Sequence, residues 1–184
     1  MKKIGILIEN RFIDQEIIYY ENRFKEEGYE VEFLTRLWGN KSLKFTGLEL
    51  GMVKEVDKSF EDITDEKLEE YVAIISPAGY VSDYLLYSKK PGELSPAVKF
   101  IEKIMKNKKI LKGFICHSLW IAGPIKESFA NREVTCHNNI ISHVENTGIT
   151  YKDEDIFIDN DLVTAREGGL FAKFARTIID ELGK

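Results

Sequence analysis

The sequence is poor in the residues and patterns on which several classes of protein depend. Its 184 residues include only two cysteines, which cannot build a disulfide-stapled scaffold. No apolar run approaches the roughly 18 residues that a membrane span needs, and the first segment lacks the apolar core of a signal peptide. There is no basic excess, because 26 Lys and Arg face 31 Asp and Glu, which argues against a nucleic-acid partner. We therefore expect an acidic cytoplasmic protein with reduced thiols that binds neither membrane nor nucleic acid.

The composition that remains is that of an ordinary globular protein. Hydrophobic residues make up 43% and charged residues 31% of the chain, a balance that excludes disorder, collagen and coiled coil. At about 150 residues per domain, the length predicts a single domain over residues 1–184.

Strands and helices are predicted to alternate along the chain. The predicted strands are Lys3–Ile8, Val31–Thr35, Val72–Ser76, Ile110–Ile115, Glu133–Cys136 and Asp155–Asp159. The predicted helices are Asp14–Gly28, Thr64–Tyr71, Leu94–Asn107, a stretch after Cys116, and Gly169–Leu182. Leu37–Phe60 reads as a hairpin excursion, and Asn160-Asp161 as the turn of a hairpin that ends in Leu162–Ala165. Repeated βα units predict a mostly parallel sheet with helices on both faces and a ligand site beyond the strands' carboxyl ends.

A cysteine stands where a buried strand meets a helical segment. In Lys112–Trp120 the apolar run ends and the next element begins within one or two residues of Cys116. This pattern is typical of a nucleophile elbow, which lifts one side chain above the sheet. A thiol at a helix N-terminus is expected to have a depressed pKa, and the His117 N–H is expected to face an oxyanion. The alternative is that Cys116 is a small buried hydrophobic residue.

The segment Ile115-Cys116-His117 resembles the elbow of the ThiJ/PfpI family, in the class I glutamine amidotransferase-like superfamily. Further segments resemble that family in the same order: Asp14-Gln15-Glu16, Pro77-Ala78-Gly79, Val134–His137, Asn146–Ile149 and Leu162–Arg166. The resemblance implies a flavodoxin-like three-layer α/β sandwich, a cysteine nucleophile and assembly as a homodimer or higher homo-oligomer. Three departures from the family pattern suggest an outlying subfamily with its own substrate: Ser118, Ala78 and Glu167-Gly168-Gly169.

Two further site residues combine a physical argument with the resemblance. Glu16 lies on or beside the apolar stripe that includes Ile13 and Tyr20, where desolvation raises a carboxyl pKa. The resemblance adds that this glutamate is protonated and hydrogen-bonds the thiolate; the alternative is an ordinary acidic residue in the first turn of a helix. Gly79 has no Cβ, so its N–H can approach an oxyanion closely.

Other candidates follow the resemblance alone. It implies that His117 is the base, the alternative being a backbone role only, and that His137 lies near the thiol. It also aligns Asp83 with a glutamate that reaches a neighbouring subunit's histidine, although aspartate is shorter and a solvated role is the alternative. His143 is read as a surface residue.

These residues predict an enzyme in which Cys116 attacks the carbonyl of a small molecule or peptide. The resemblance implies glyoxalase or deglycase, peptidase, or amidase activity. The alternatives are a redox sensor or chaperone-like protein that oxidises Cys116 to a sulfinate, and a non-catalytic interaction module. We expect no cofactor and no metal, since Cys116, Cys136, His117, His137 and Glu16 lack tight zinc-ligand spacing. An aromatic-rich turn, formed by Tyr80, Tyr84, Leu85, Leu86 and Tyr87, is predicted to meet a partner subunit.

Overall fold

A seven-stranded sheet forms the centre of the protein, which is described by a computed structural model over residues 2–184. Its strands are β1 (Lys3–Leu7), β2 (Glu30–Thr35), β5 (Lys58–Ser59), β6 (Tyr71–Ser76), β7 (Leu111–Ile115), β10 (Ile156–Asp159) and β11 (Leu162–Ala165). They lie in the order β10-β11-β7-β6-β1-β2-β5. Every neighbouring pair is parallel except β10 and β11, which form the predicted antiparallel hairpin.

Helices cover both faces of this sheet. They are α1 (Asp14–Glu26), α2 (Asp65–Leu68), α3 (Val81–Leu85), α4 (Pro96–Lys106), α5 (Ile141–Asn146) and α6 (Phe171–Leu182). Helices α1 and α6 pack together on one face, whereas α3 and α4 contact the 3₁₀ segment Ser118–Phe129 on the other. The predicted α/β fold with a mostly parallel sheet is therefore confirmed. None of the helices within residues 2–184 is both long and apolar enough to cross a membrane.

The central strands and the long helices follow directly from the sequence pattern. Strand β7 is buried along its whole length, as a strand covered by helices on both faces must be. Helix α4 begins after Ser95, whose hydroxyl accepts the Val98 N–H, and its apolar stripe lies in the core. Helix α1 ends as predicted near Gly28, which adopts the left-handed conformation at φ 84°.

Several predicted elements differ in the structure. The Leu37–Phe60 segment contains the expected hairpin, β3 (Leu43–Thr46) with β4 (Val53–Val56), but its end adds β5 to the main sheet. The helix predicted at Thr64–Tyr71 is the shorter α2, because Tyr71 already pairs with Lys3 as a strand. Strand β8 (Glu133–Val134) does not join the central sheet and pairs instead with β9 (Thr150–Tyr151).

Candidate active site

The joint between β7 and the following segment is a tight turn with Cys116 at its apex. Cys116 has φ 63°, a left-handed conformation that is uncommon for any residue except glycine. Its N–H donates to the Ala165 carbonyl at 2.9 Å, and its carbonyl accepts the His137 N–H at 3.1 Å. Because both neighbouring segments hold its backbone, the strained turn is stable and directs the thiol beyond the sheet edge.

The thiol opens into a cavity of about 680 Å³. Most of the residues predicted for the site line it: Cys116, His117, His137, Gly79 and Asp83. They come from the segments that follow β6, β7 and β8, Asp83 from helix α3, and the fold brings them together at the carboxyl end of the central strands. Glu16 is completely buried beside this cavity instead of lining it.

His117 is the imidazole that contacts the sulfur. Its Nδ1 lies 3.2 Å from the Cys116 Sγ, so the neighbour in sequence does reach the thiol. The pKa of His117 is lowered, first by burial and then by the nearby His137, and the neutral ring can therefore accept the thiol proton. His137 stacks on His117 with ring centroids 4.3 Å apart, and its Nδ1 accepts the Asn139 N–H at 3.2 Å.

The thiol itself is not the low-pKa group that the sequence predicts. Burial raises the pKa of Cys116 above its ordinary value, and the N–H groups of Gly168, His117 and Gly79 oppose this only partly. The segment that follows is a 3₁₀ helix interrupted at Ile125, so the expected α-helical N-terminus is absent. The prediction was wrong because it assumed a regular helix and an exposed thiol, whereas Cys116 is only 9% exposed.

Glu16 supports the turn after β6. Both carboxyl oxygens accept the Ala78 N–H, at 3.0 and 3.2 Å. Burial raises the pKa of Glu16 to about 8, so the carboxyl is mainly protonated at neutral pH, as the sequence predicts. The Tyr20 hydroxyl lies near the same carboxyl and lowers its pKa, but outside hydrogen-bond geometry. Within residues 2–184 no hydrogen bond joins Glu16 to the Cys116 sulfur, so the expected contact is not formed here.

Glycine is required at position 79. Gly79 has φ 84°, and a Cβ there would lie 2.5 Å from the Arg11 carbonyl oxygen. The next helix, α3, is tied to the elbow because the Ser82 hydroxyl donates to the His117 carbonyl at 3.2 Å. Asp83 is exposed at the cavity, and among the described residues it forms no ion pair. A role for Asp83 across a subunit boundary stays a prediction.

Several residues at the cavity were not predicted from the sequence. The Ala78 and Gly168 N–H groups act through the backbone, which residue types do not reveal. Leu48 reaches the cavity from the β3–β4 loop, and its apolar character was no signal, because the same hairpin contains several other apolar residues. His143 is not a surface residue as expected: its Nε2 is buried, and its ring lies 6.0 Å from that of Trp120.

Metal binding receives no support from the side-chain arrangement. Across residues 2–184, no group of three or more His, Cys, Asp or Glu side chains is placed to hold a metal ion. Cys136 is fully buried, and burial raises its pKa to about 12, which disfavours the thiolate that a zinc ligand requires.

The fold and the cysteine turn define a flavodoxin-like α/β protein with a thiol at the carboxyl end of its central strands. The DJ-1/PfpI family model matches residues 2–181, and the chain belongs to that family. It is 29% identical over 185 residues to protein/nucleic acid deglycase 2 of Escherichia coli, covering 99% of this chain and 98% of that protein. It is 29% identical to the deglycase TK1284 of Thermococcus kodakarensis, covering 91% of each chain.

A crystal structure from Anabaena variabilis shows how closely the fold is shared. That two-domain protein, which contains DJ-1/ThiJ/PfpI-like and ferritin-like domains, superposes with a TM-score of 0.84 and 26% identity. The match covers 100% of this chain but 48% of the other, so the chain spans about half of that protein.

Proposed function

We propose that the protein is an enzyme that uses Cys116 to attack a reactive carbonyl, of the α-oxoaldehyde type or an adduct of such a compound. The observation that carries the proposal is the 3.2 Å contact between the Cys116 sulfur and His117 Nδ1, at a strained turn that opens into a cavity. The deglycase names of two relatives support this substrate class.

The first step uses the neutral thiol–imidazole pair. As the Cys116 sulfur bonds to the aldehyde carbon, its proton moves to His117 Nδ1. The carbonyl π electrons move to the oxygen, where N–H groups near the sulfur, including that of Gly79, are suited to stabilise the negative charge. Return of the proton to this oxygen gives a neutral hemithioacetal.

The second half of the reaction adds one water. The hydrogen on the former aldehyde carbon moves as a proton to the adjacent carbon, and the hydroxyl proton of the hemithioacetal moves to the adjacent carbonyl oxygen, which gives a 2-hydroxyacyl thioester. Water then attacks the thioester, the C–S bond breaks, and a 2-hydroxy acid leaves while Cys116 regains its proton. Glu16, mainly protonated at neutral pH, contributes by holding the turn that carries Gly79 through the Ala78 N–H.

The experiment is a comparison of two cysteine variants on methylglyoxal. Cys116→Ala is expected to abolish lactate formation, whereas Cys136→Ala, which changes a fully buried thiol outside the cavity lining, keeps it. Lactate formation by Cys116→Ala at the rate of the unaltered protein would refute the proposal.

The same assay separates the alternative activities. A further relative, YraA of Bacillus subtilis, carries the name of a candidate cysteine protease and is 28% identical over 90% of this chain. Peptide cleavage that depends on Cys116 without any lactate formation would favour a peptidase. A mass gain of two oxygens on Cys116 under mild peroxide, with no turnover of either substrate, would favour the redox sensor.

A further inference from the structure

A buried aspartate outside the thiol site holds a loop against the first helix. Asp14 is completely buried at the start of α1, where its carboxylate accepts three N–H groups from the loop between β3 and β4. These are the N–H groups of Glu49 at 2.9 Å, Leu50 at 3.2 Å and Met52 at 2.8 Å. Burial by itself raises the pKa of Asp14, but the three donors hold it below its ordinary value, so the carboxylate is ionised at neutral pH.

The loop fits this carboxylate closely. A Cβ on Gly47 would lie 2.1 Å from the Asp14 Oδ1, so no larger residue can occupy that position without moving the loop. Two backbone bonds to the segment before α1 complete the attachment: the Leu48 N–H donates to the Phe12 carbonyl at 2.8 Å, and the Arg11 N–H donates to the Thr46 carbonyl at 2.7 Å. The loop is therefore fixed relative to α1, the helix that also carries Glu16.

Two leucines of this loop have different positions relative to the cavity. Leu48 lines the cavity that contains Cys116 and is 40% exposed. Leu50 is 67% exposed and does not line it. Other apolar side chains of the same cavity are those of Ile13, Ile140 and Trp120, so Leu48 extends an apolar wall to the hairpin side.

We propose that Leu48 is a specificity-determining residue that favours carbonyl compounds bearing an apolar substituent, and that Asp14 is the positioning residue that holds Leu48 in place. The turnover aspect of this inference rests on the proposed function, but access of an apolar reagent to Cys116 does not. An aromatic or branched substituent gains by displacing water from the wall, whereas a small polar reagent does not.

The test measures alkylation of Cys116 by two reagents, so no catalytic turnover is needed. Iodoacetamide is small and polar, and 2-bromoacetophenone carries a phenyl ring beside its carbonyl. The rate with 2-bromoacetophenone is divided by the rate with iodoacetamide, and this ratio is divided by the same ratio for a free thiol in solution. The result measures the preference of the cavity for the apolar reagent. Leu48→Ala is expected to lower this ratio by about tenfold, within the range for lost apolar contacts in a pocket. Leu48→Met is expected to preserve it, because the side-chain volume is similar.

Leu50→Ala is the matched control, since it removes an equal side chain from the same loop outside the cavity. Its ratio is expected to equal that of the unaltered protein. Equal ratios for Leu48→Ala and Leu50→Ala, whether both lowered or both unchanged, would overturn the role of Leu48.

Asp14→Asn tests the positioning role. The amide has one acceptor oxygen and a donor NH₂ group that faces the loop N–H groups, so the loop is expected to detach. The ratio should then fall as it does for Leu48→Ala. A lowered melting temperature with an unchanged ratio would show that Asp14 only stabilises the fold.

The same variants tell failure of this inference from failure of the proposed function. With turnover present, Leu48→Ala should raise the KM for phenylglyoxal by about tenfold and change that for methylglyoxal much less. If the alkylation ratios are as expected but neither compound is turned over, the proposed function is refuted and the role of Leu48 in the cavity stands. If Leu48→Ala turns over both compounds normally and its alkylation ratio is unchanged, the role of Leu48 is refuted and the proposed function stands.

Discussion

The His137 imidazole stacks on that of His117 with ring centroids 4.3 Å apart and an interplanar angle of 25°. Of these two rings, that of His117 is the one hydrogen-bonded to the thiol within residues 2–184, through Nδ1. His137 therefore acts on the site indirectly: after burial, its proximity is the second cause of the lowered His117 pKa. The two histidines that the sequence could not rank thus differ in role.

His137→Phe is expected to shift the pH profile of the thiol's reactions. The phenyl ring can stack in the same place but lacks the imidazole nitrogens that lower the His117 pKa, so that pKa should rise towards its ordinary value of 6.5. The acid limb of the rate profile should move to higher pH. His143→Gln, which alters a histidine outside the stack, should leave the limb in place. An unmoved limb in His137→Phe would contradict the assigned role.

Native Cys116 is expected to react more slowly with iodoacetamide at pH 7 than a free thiol in solution. Burial raises its pKa above the ordinary value of 9.0, so little thiolate is present. Cys136, whose pKa burial raises to about 12, should remain unlabelled in the folded protein. Mass spectrometry after timed labelling measures both rates. Faster labelling of Cys116 than of the free thiol would show that the turn activates it.

Glu16 is expected to make the protein less stable as the pH rises from about 4.5 to about 8. Its pKa is about 8 when folded and near the ordinary 4.5 when unfolded, so the folded state holds more protons in that window. From this one group, the free energy of unfolding can fall by at most about 1.4 kcal/mol per pH unit. Urea unfolding of the unaltered protein and of Glu16→Gln should show a free-energy difference that changes with pH. A difference constant between pH 5 and pH 8 would contradict the raised pKa.

The Glu16 carboxyl is also expected to stabilise the turn through the Ala78 N–H. Glu16→Gln retains an acceptor oxygen, whereas Glu16→Leu leaves that buried N–H without one, at a cost of about 1–3 kcal/mol. Unfolding at pH 5, where the carboxyl is protonated, measures the difference between the two variants. Equal stability of the two would mean that the hydrogen bond to Ala78 contributes nothing.

Assembly into at least a homodimer stays a prediction. Fewer residues of the aromatic-rich turn are available for the contact than the sequence indicates. Tyr80, Tyr84 and Tyr87 are exposed, whereas Leu85 is completely buried in the chain's own core. Tyr84→Glu is expected to weaken association, because a charge placed in an aromatic contact is poorly solvated there. Light scattering at micromolar concentration measures the mass. A stable monomer of 21.2 kDa in the unaltered protein would contradict the prediction.

Local sequence patterns predicted most of the side chains at the site, but they did not predict the backbone N–H groups that act there. The thiol at the end of β7, the glycine after β6 and the buried glutamate of α1 were all visible as residue types at particular places in the pattern. The hydrogen bond from Ala78 to Glu16, and the approach of the Gly168 N–H to the sulfur, were not, because every residue type except proline carries the same N–H.

The sequence by itself determined the order of strands and helices and the cysteine at the joint, because apolar periodicity and turn residues act over short distances along the chain. Tertiary structure alone decided the protonation of Cys116, because this depends on burial and on N–H groups far apart in sequence. It likewise decided that the neighbouring His117 ring turns towards the sulfur, because the conformation of the turn sets that direction. It also decided that Leu48 reaches the cavity, since the Asp14 carboxylate and the loop N–H groups that hold it lie 35 to 38 residues apart.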